Sequence, residues 1–430
     1  MSRYSKSEKH LELAEVNIPL GSQTFSKSRT QYPLGISPLF AKNAQGSKLQ
    51  DLDGNWYVDL VNSLAAITLG YGNKIITRAV KKQLRKGVIY SLPGVLEQQV
   101  ASKIVELVPS AELVRFGKNG TDATSAAVRV ARAYTGRELI AVCGYHGWAD
   151  WYIGSTTRDK GVPVSTKELT KSFKYNQIET LEALISANPD GFAAVVMEPM
   201  NSEFPKDNFL EDVRKLCTQH KIVLVFDETI TGFRFSSGGA QKYFGVYPDI
   251  STFGKGIANG FPLSVVAGSR RIMKEMEVVF FSGTFGGELL SLAAANKVLD
   301  LHKGNQICQK LEEVGEKIRT QVDKIITDNG LGHILRLSGH PSWIFLNWSP
   351  TKKYSVEELK TFFMQEMFSR GILILNTHNV STSLRSSEIK MIVKAYSETL
   401  NQMSKLIESD ELIAKLKVRP LRSLFQIRGN

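Results

Sequence analysis

Cysteine is scarce in this 430-residue chain: Cys143, Cys217 and Cys308 are scattered and odd in number. That pattern excludes a disulfide framework and a zinc cluster, and it fits a reducing cytoplasm. No run of about 18 apolar residues occurs, so no transmembrane helix is expected. The first ten residues are polar and hold no apolar core, which argues against a secretory signal. Neither a Walker nor a dinucleotide glycine pattern appears, which disfavours nucleotide binding. No internal repeat or low-complexity tract stands out. Acidic residues are the minority, 42 against 54 Lys and Arg, for a net charge of +12. A nucleic-acid groove would gather that excess. Here it is spread, and its densest groups, Lys81-Lys82 with Arg85-Lys86 and residues 415–428, lie on amphipathic or terminal segments. They read as solvated faces, so neither a nucleic-acid nor a membrane partner is expected, and the mild positive field suits small anions.

What is present is the composition of a globular protein, 42% hydrophobic and 22% charged, in a chain too long for one simple core. From residue 113 to about 270, strand patterns alternate with helix patterns: 139–142, 192–197 and 222–226 read as strands, 210–220 as a helix. This alternation argues for an α/β fold with a mainly parallel sheet between helices. Such sheets bind ligands at the carboxyl ends of their strands. At those ends stand Tyr145-His146, Glu198 and Asp227-Glu228, and the segment Gly254-Lys255-Gly256 follows.

Lys255 is one lysine among small and apolar residues. Burial disfavours its charged form, and a neutral lysine attacks aldehydes. Asp227 ends a buried strand, where a carboxylate needs a cationic or hydrogen-bonding partner; the protonated pyridine nitrogen of pyridoxal 5′-phosphate (PLP) is one. Each alone also reads as a loop lysine and a plain strand end. A third feature joins them: a strand at 113–117 leads through Lys118-Asn119-Gly120-Thr121 into a helix to about residue 134. Free N–H groups at a helix start hold anions, Gly120 permits close approach and Thr121 adds a hydroxyl, although an ordinary N-cap would look the same. Tyr145 could stack on a planar ring, or it and His146 could simply pack a loop.

Around this core, residues 1 to about 20 read as a helix carrying Leu11, Leu13, Ala14 and Val16. Residues 21–29 are a polar loop in which Lys27 and Arg29 could hold a carboxylate or phosphate. Residues 39–60 read as an antiparallel meander; 74–84, 95–107, 288–301 and 307–327 read as helices. Beyond them short strands (343–347, 372–375) and helices (356–369, 388–406) suggest a smaller α+β domain. The expected division is an N-terminal segment 1–65, a large domain 66–305 and a C-terminal small domain 306–430.

Together the motifs Asn119-Gly120-Thr121-Asp122-Ala123, Tyr145-His146-Gly147, Glu198-Pro199, Asp227-Glu228 with Thr231-Gly232-Phe233-Arg234, Pro248-Asp249, Gly254-Lys255 and Gly283-Thr284 are specific. With them the chain resembles class III aminotransferases of PLP fold type I, in the branch around glutamate-1-semialdehyde 2,1-aminomutase, from about residue 12 to about 400. The resemblance implies a large domain with a seven-stranded-type sheet and a small domain built from both chain ends. It implies that Lys255 bonds the cofactor and shuttles a proton, and that Asp227 faces the pyridine nitrogen. Gly120 and Thr121 become the phosphate cup and Tyr145 the stacking ring, with His146 and Glu198 also at the cofactor. Thr284 is similar to a residue that reaches the phosphate across a homodimer with shared sites. The segment holding Lys27 and Arg29 matches one that clamps a substrate carboxylate, and Asn201 falls where substrate is held. No metal is implied.

Departures concern the substrate. Asn119 replaces the usual serine, Met200-Asn201-Ser202-Glu203 replaces a glycine-containing stretch, and residues 376–381 lack the acid that the aminomutase brings to its site. The expected function is therefore a PLP-dependent aminotransferase acting on an aldehyde or keto acceptor, such as a sugar or secondary-metabolite precursor. The aminomutase is one alternative and a non-catalytic binding protein on the same fold another, with the intact Lys255 counting against the latter.

Overall fold

The computed structural model describes residues 3–421. The second basic group, 415–428, therefore lies partly outside the described residues. The chain forms two compact units. Within the described residues, one comprises the N-terminal segment to Leu64, Leu69–Asn73 and Leu311 to Leu421; the other comprises Ala65–Thr68 and Lys74–Lys310.

In chain order the strands are β1 Ala41–Gln45, β2 Lys48–Asp51, β3 Trp56–Asp59, β4 Leu113–Gly117, β5 Leu139–Cys143, β6 Thr170–Ser172, β7 Phe192–Met197, β8 Val223–Glu228, β9 Ile250–Phe253, β10 Ser264–Gly268, β11 Leu335–His340, β12 Trp343–Trp348, β13 Ile372–Leu373 and β14 Thr377–Asn379. The second unit holds the seven-stranded sheet, in the order β4-β10-β9-β8-β7-β5-β6. Neighbours from β9 to β6 are parallel, while β10 runs antiparallel to both β4 and β9.

Side chains that alternate along a strand supply both faces of this sheet. Val142, Ala194, Val196, Val225 and Ile250 pack with Ala123, Ala126, Ala127 and Val130 of the helix Gly120–Thr135. Cys143, Val195, Met197, Leu224 and Phe226 face the opposite way, onto Leu181, Phe209, Val213 and Cys217. The alanines let the first helix lie close to the strands, which sets its N-terminus beside the carboxyl edge of the sheet.

The other unit contains the expected meander β1-β2-β3, extended by β13 parallel to β3, and a second sheet β11-β12-β14. Strand β11 has no counterpart in the sequence reading. The N-terminal helix is also shorter than expected: it spans Ser5–Glu15, and only Leu11 of the anticipated apolar face is buried, Leu13 and Val16 being 62% and 76% exposed. Pro19 explains the stop, because it forces Ile18 into extended backbone (φ −128°, ψ 116°). Among the described residues no helix is long and apolar enough to cross a membrane.

His378 on β14 is fully buried; its Nε2 meets the Tyr396 hydroxyl at 2.6 Å and its Nδ1 has no partner. Burial lowers its pKa from 6.5 to about 3. The neutral ring is thus the folded form, and its contribution to stability is complete above the unfolded value and lost as pH falls from about 6.5 toward 3. Thermal melts across that range should show a slope of about 1.4 kcal/mol per pH unit for this one proton. His378→Gln should flatten it; an unchanged slope would show that His378 does not carry it.

Candidate active site

The strand order sets the site. Along the carboxyl edge β9, β8, β7 and β5 are neighbours, so Lys255, Asp227, Glu198 and the Tyr145-His146 pair follow one another across the sheet.

Asp227 is 4% exposed and its partners account for both oxygens. Oδ1 accepts from the Thr229 N–H (3.1 Å), the Thr229 hydroxyl (2.5 Å) and the Thr252 hydroxyl (3.0 Å). Oδ2 lies 2.9 Å from His146 Nδ1. His146 Nε2 lies 3.1 Å from the Cys143 carbonyl, which can only accept, so Nε2 carries a proton. One further proton must sit between Nδ1 and Oδ2. A carboxylate receiving three donors on its other oxygen is the weaker base, which puts that proton on His146. The result is a buried imidazolium–carboxylate pair. Burial pushes the Asp227 carboxyl up, but the hydrogen bond and charge of His146 and the Thr229 donors hold it below the ordinary carboxylate range.

His146 was expected as a cofactor contact. Its ring is 1% exposed and stacks on Trp151 (6.5 Å, 12° between planes), so it acts on Asp227 from behind. Tyr145, next in the chain, is 47% exposed and meets the Tyr152 ring edge-on (5.6 Å, 86° between planes). Its position is set by Glu198, whose Oε2 accepts from the Tyr145 N–H (3.1 Å) and from Asn201 Nδ2 (2.7 Å). Asn201, expected at the substrate, is thus tied to Glu198. Burial raises the Glu198 pKa, His146 opposing and Asp227 adding to the shift. The loop needs its glycines. Gly144 has φ +107°, and a Cβ there would stand 2.5 Å from Glu198 Oε2; at Gly147 (φ +106°) it would run into the Thr121 hydroxyl.

Lys255 opens a 3₁₀ turn with a left-handed φ of +44°, an unusual conformation for a residue with a side chain. Its amine makes no hydrogen bond or ion pair among the described residues. Burial lowers its pKa from 10.5 to about 8, with Glu198 and Asp227 opposing and Arg234 assisting. Beside it, Glu228 is fully buried but satisfied by Thr231, Ala240 and Gln241.

At the start of helix Gly120–Thr135, Asp122 accepts from the Lys118 and Asn119 N–H groups (2.9 and 2.8 Å). The Gly120 and Thr121 N–H groups have no such partner and remain available to an anion. Thr284 is exposed in a turn and lines, with Lys118, Thr121, Ser125, Trp148 and Phe280, a cavity of about 480 Å³. Lys27 and Arg29 belong to the other unit. Arg29 is engaged by Glu15 (2.6 Å), whereas Lys27 makes no ion pair among the described residues and lines a separate cavity there.

Sequence reasoning missed Thr229 and Thr252. Thr252 meets Asp227 because β8 and β9 pair in that register, a fact visible only once the strand order is known. Among the described residues no group of three or more His, Cys, Asp and Glu could hold a metal ion.

Comparison with known proteins gives the family and the fold. Residues 32–407 match the family model described as aminotransferase class-III. The chain is 34% identical over 424 residues to glutamate-1-semialdehyde 2,1-aminomutase of Methanosarcina acetivorans, covering 90% of this chain and 100% of that one. It is 31% identical over 415 residues to 3-aminobutyryl-CoA aminotransferase of Cloacimonas acidaminovorans, covering 94% and 99%. An omega-transaminase from Sphaerobacter thermophilus superposes with a TM-score of 0.84 at 26% identity, over 92% of this chain and 97% of that one. A glutamate-1-semialdehyde aminomutase from Pseudomonas aeruginosa shares the fold, with a TM-score of 0.82 at 20% identity over 93% and 95%.

Proposed function

The chain belongs to the class-III aminotransferase family, and from that premise we propose that it moves an amino group from a donor to an aldehyde or ketone acceptor, with PLP as cofactor. The residues fit that cofactor. Asp227 would offer a fixed negative charge to the pyridine nitrogen, Tyr145 a half-exposed aromatic ring, Gly120 and Thr121 N–H groups and a hydroxyl to the phosphate, and Lys255 an amine to the aldehyde. When bound, PLP supplies an electron sink that lets a C–H bond beside an amine break.

The remaining work falls to the protein. The Lys255 amine, buried and without a partner among the described residues, would serve as the base that accepts the proton from the carbon bearing the donor amine and holds it for return. Asp227, fixed by His146 and the two threonines, keeps the pyridine nitrogen protonated. Glu198 holds Tyr145 through its N–H. For the substrate we assign a carboxylate clamp to Lys27 rather than Arg29, because Glu15 already occupies the Arg29 guanidinium.

The observation that carries this reading is a lysine without a partner, poised near pH 8, within electrostatic reach of a carboxylate whose charge is held by a buried His146. The test is the visible spectrum of the PLP-loaded protein before and after L-glutamate, with an assay for 2-oxoglutarate. A spectral change with stoichiometric 2-oxoglutarate is expected. Isomerisation of glutamate 1-semialdehyde with no release of an oxo acid would instead make it the aminomutase, a second reading favoured by the 34% identity with that enzyme. Against the mutase stands the segment 376–381. It carries no acid, and its residues Thr377–Asn379 are committed to pairing with β12.

The lysine also gives a pH dependence. Only its neutral form attacks an aldehyde, so the rate at which apo-protein couples to PLP should rise with pH through about 8 and then level. Stopped-flow absorbance checks this; a flat rate between pH 6 and 9 would remove Lys255 as the nucleophile.

Two features place the enzyme further. The exposed Trp148, Phe280 and Phe285 (69%, 80% and 59%), near Thr284 in sequence or at its cavity, favour burial against a second copy, and we infer a homodimer, measurable by light scattering. Three free, buried cysteines suit the cytoplasm.

A further inference from the structure

Two residues with side chains hold left-handed backbone at one contact beside the reactive amine: Lys255 itself (φ +44°) and Ala65 (φ +68°). Such backbone persists only where its surroundings over-determine it. The turn that Lys255 opens packs on the segment Ala65–Thr68. A Cβ on Gly256 would stand 2.6 Å from Thr68 Oγ1 and 3.9 Å from the Ala65 carbonyl oxygen, and one on Gly260 would stand 2.6 Å from Ile67 Cδ1. The Ala65 carbonyl also accepts from Nη2 of Arg234 (3.2 Å), whose side chain is fully buried. We propose that Arg234 is a positioning residue for Lys255: it pins Ala65–Thr68 against the lysine's turn and keeps a fixed positive charge within electrostatic reach of the amine. That role rests on Lys255 being the group that couples to PLP.

Packing alone does not call for an arginine here. Removing a guanidinium from water is costly, and an apolar side chain of similar volume would fill the space without that cost. The arginine is anchored to the strand that carries Asp227. Its N–H donates to the Thr231 carbonyl (3.1 Å), and the Gly232 N–H donates to the carbonyl of Glu228 at the end of β8 (2.9 Å). Arg234 thus ties the loop after β8, through Ala65, to the turn that presents Lys255.

The groups around the guanidinium leave it as the fixed cation. His302 is buried, packs edge-on against Phe233 (5.6 Å, 61°) and has no partner at Nε2. Burial first, and then the Arg234 charge, lowers its pKa to about 4, so it is neutral at working pH. Burial lowers the Arg234 pKa to about 10 with Cys308 opposing, so the guanidinium keeps its proton. At Lys255 that charge acts together with burial, against Glu198 after β7 and Asp227 on β8.

The test is the rate at which apo-protein couples to PLP, followed by stopped flow across pH 6–10, with the borohydride-reduced adduct located by mass spectrometry. In wild type the adduct is expected at Lys255, and the rate should rise through about pH 8 to a plateau. Arg234→Met should move the midpoint up by about one pH unit, which is about a tenfold loss of rate on the acid side of the midpoint. Arg234→Lys keeps a charge and a donor and should leave the midpoint near that of wild type. A merely structural residue would lower the melting temperature and the plateau but leave the midpoint in place. An unmoved midpoint in Arg234→Met, or one moved as far in Arg234→Lys, overturns the role. The link through Ala65–Thr68 is checked without any Arg234 variant. Gly256→Ala drives a Cβ into the Thr68 hydroxyl and should lower the plateau about tenfold, and Thr68→Ala added to it should restore most of the rate. An unchanged plateau in Gly256→Ala also overturns the role. A flat wild-type profile, or an adduct on another lysine, instead overturns the reading of Lys255 and takes this role with it.

Discussion

Lys255→Ala is expected to lower turnover by about 10⁴-fold or more, because one side chain serves as both nucleophile and general base. Nothing nearby can replace it. Glu198 and Asp227 are held by donors, and Arg234 cannot lose its proton at working pH, even with burial lowering it to about 10. The variant should nonetheless fold. The Lys255 amine has no partner to abandon, and alanine inherits the same left-handed backbone that lysine already tolerates at φ +44°. Stability should even rise slightly. A lysine whose folded pKa is about 8 against 10.5 unfolded destabilises the fold wherever the unfolded chain would be protonated. That penalty is largest below pH 8 and vanishes above 10.5, so the melting temperatures of variant and wild type should differ most at low pH and converge at high pH. Wild-type turnover in the alanine variant, measured as 2-oxoglutarate formed from L-glutamate, would remove Lys255 from the chemistry. A collapse of stability at neutral pH would show instead that the amine is structural.

The strand–helix alternation of the larger unit was legible because a parallel strand is buried on both faces. Phe192–Met197 is a continuous apolar run ending at Glu198, and Val223–Glu228 ends in the acids themselves. What could not be read was order. That β10 runs antiparallel between β4 and β9 depends on pairings among segments some 15 to 150 residues apart. The same holds for the site. The residue types at strand ends were visible, and so was the lysine between glycines. The meeting of His146 with Asp227, 81 residues apart, depends on β5, β7 and β8 being consecutive in space. Asn201 was read toward substrate because its sequence neighbourhood departs from the related aminomutase; that its amide steadies Glu198 was not visible there.

Asp227→Asn and Asp227→Ala are expected to part company, and the way they part reports where the buried proton sits. Both remove the charge that faces the pyridine nitrogen, so both should lower kcat by about 10²-fold or more, the scale for losing one pre-aimed electrostatic contact. Their effects on the apo-protein differ. Alanine leaves the Thr229 and Thr252 hydroxyls without an acceptor and His146 Nδ1, on a ring 1% exposed, without a partner. Breaking one side of a buried pair costs about 3–5 kcal/mol, which for a unit of this size is a fall in Tm of about 6–20 °C. Asparagine keeps the shape. Its Oδ1 accepts from both threonines, and its Nδ2 donates to His146 Nδ1 once that ring is neutral, while Nε2 continues to donate to the Cys143 carbonyl. Replacing a buried ion pair by a satisfied neutral pair changes stability little. The asparagine variant should therefore melt close to wild type yet be nearly inactive, and the histidine should shed a proton, visible as a neutral His146 by NMR. Equal destabilisation of the two variants would mean that His146 keeps its proton against an amide, and full activity of the asparagine variant would mean that the charge of Asp227 is not what the chemistry uses.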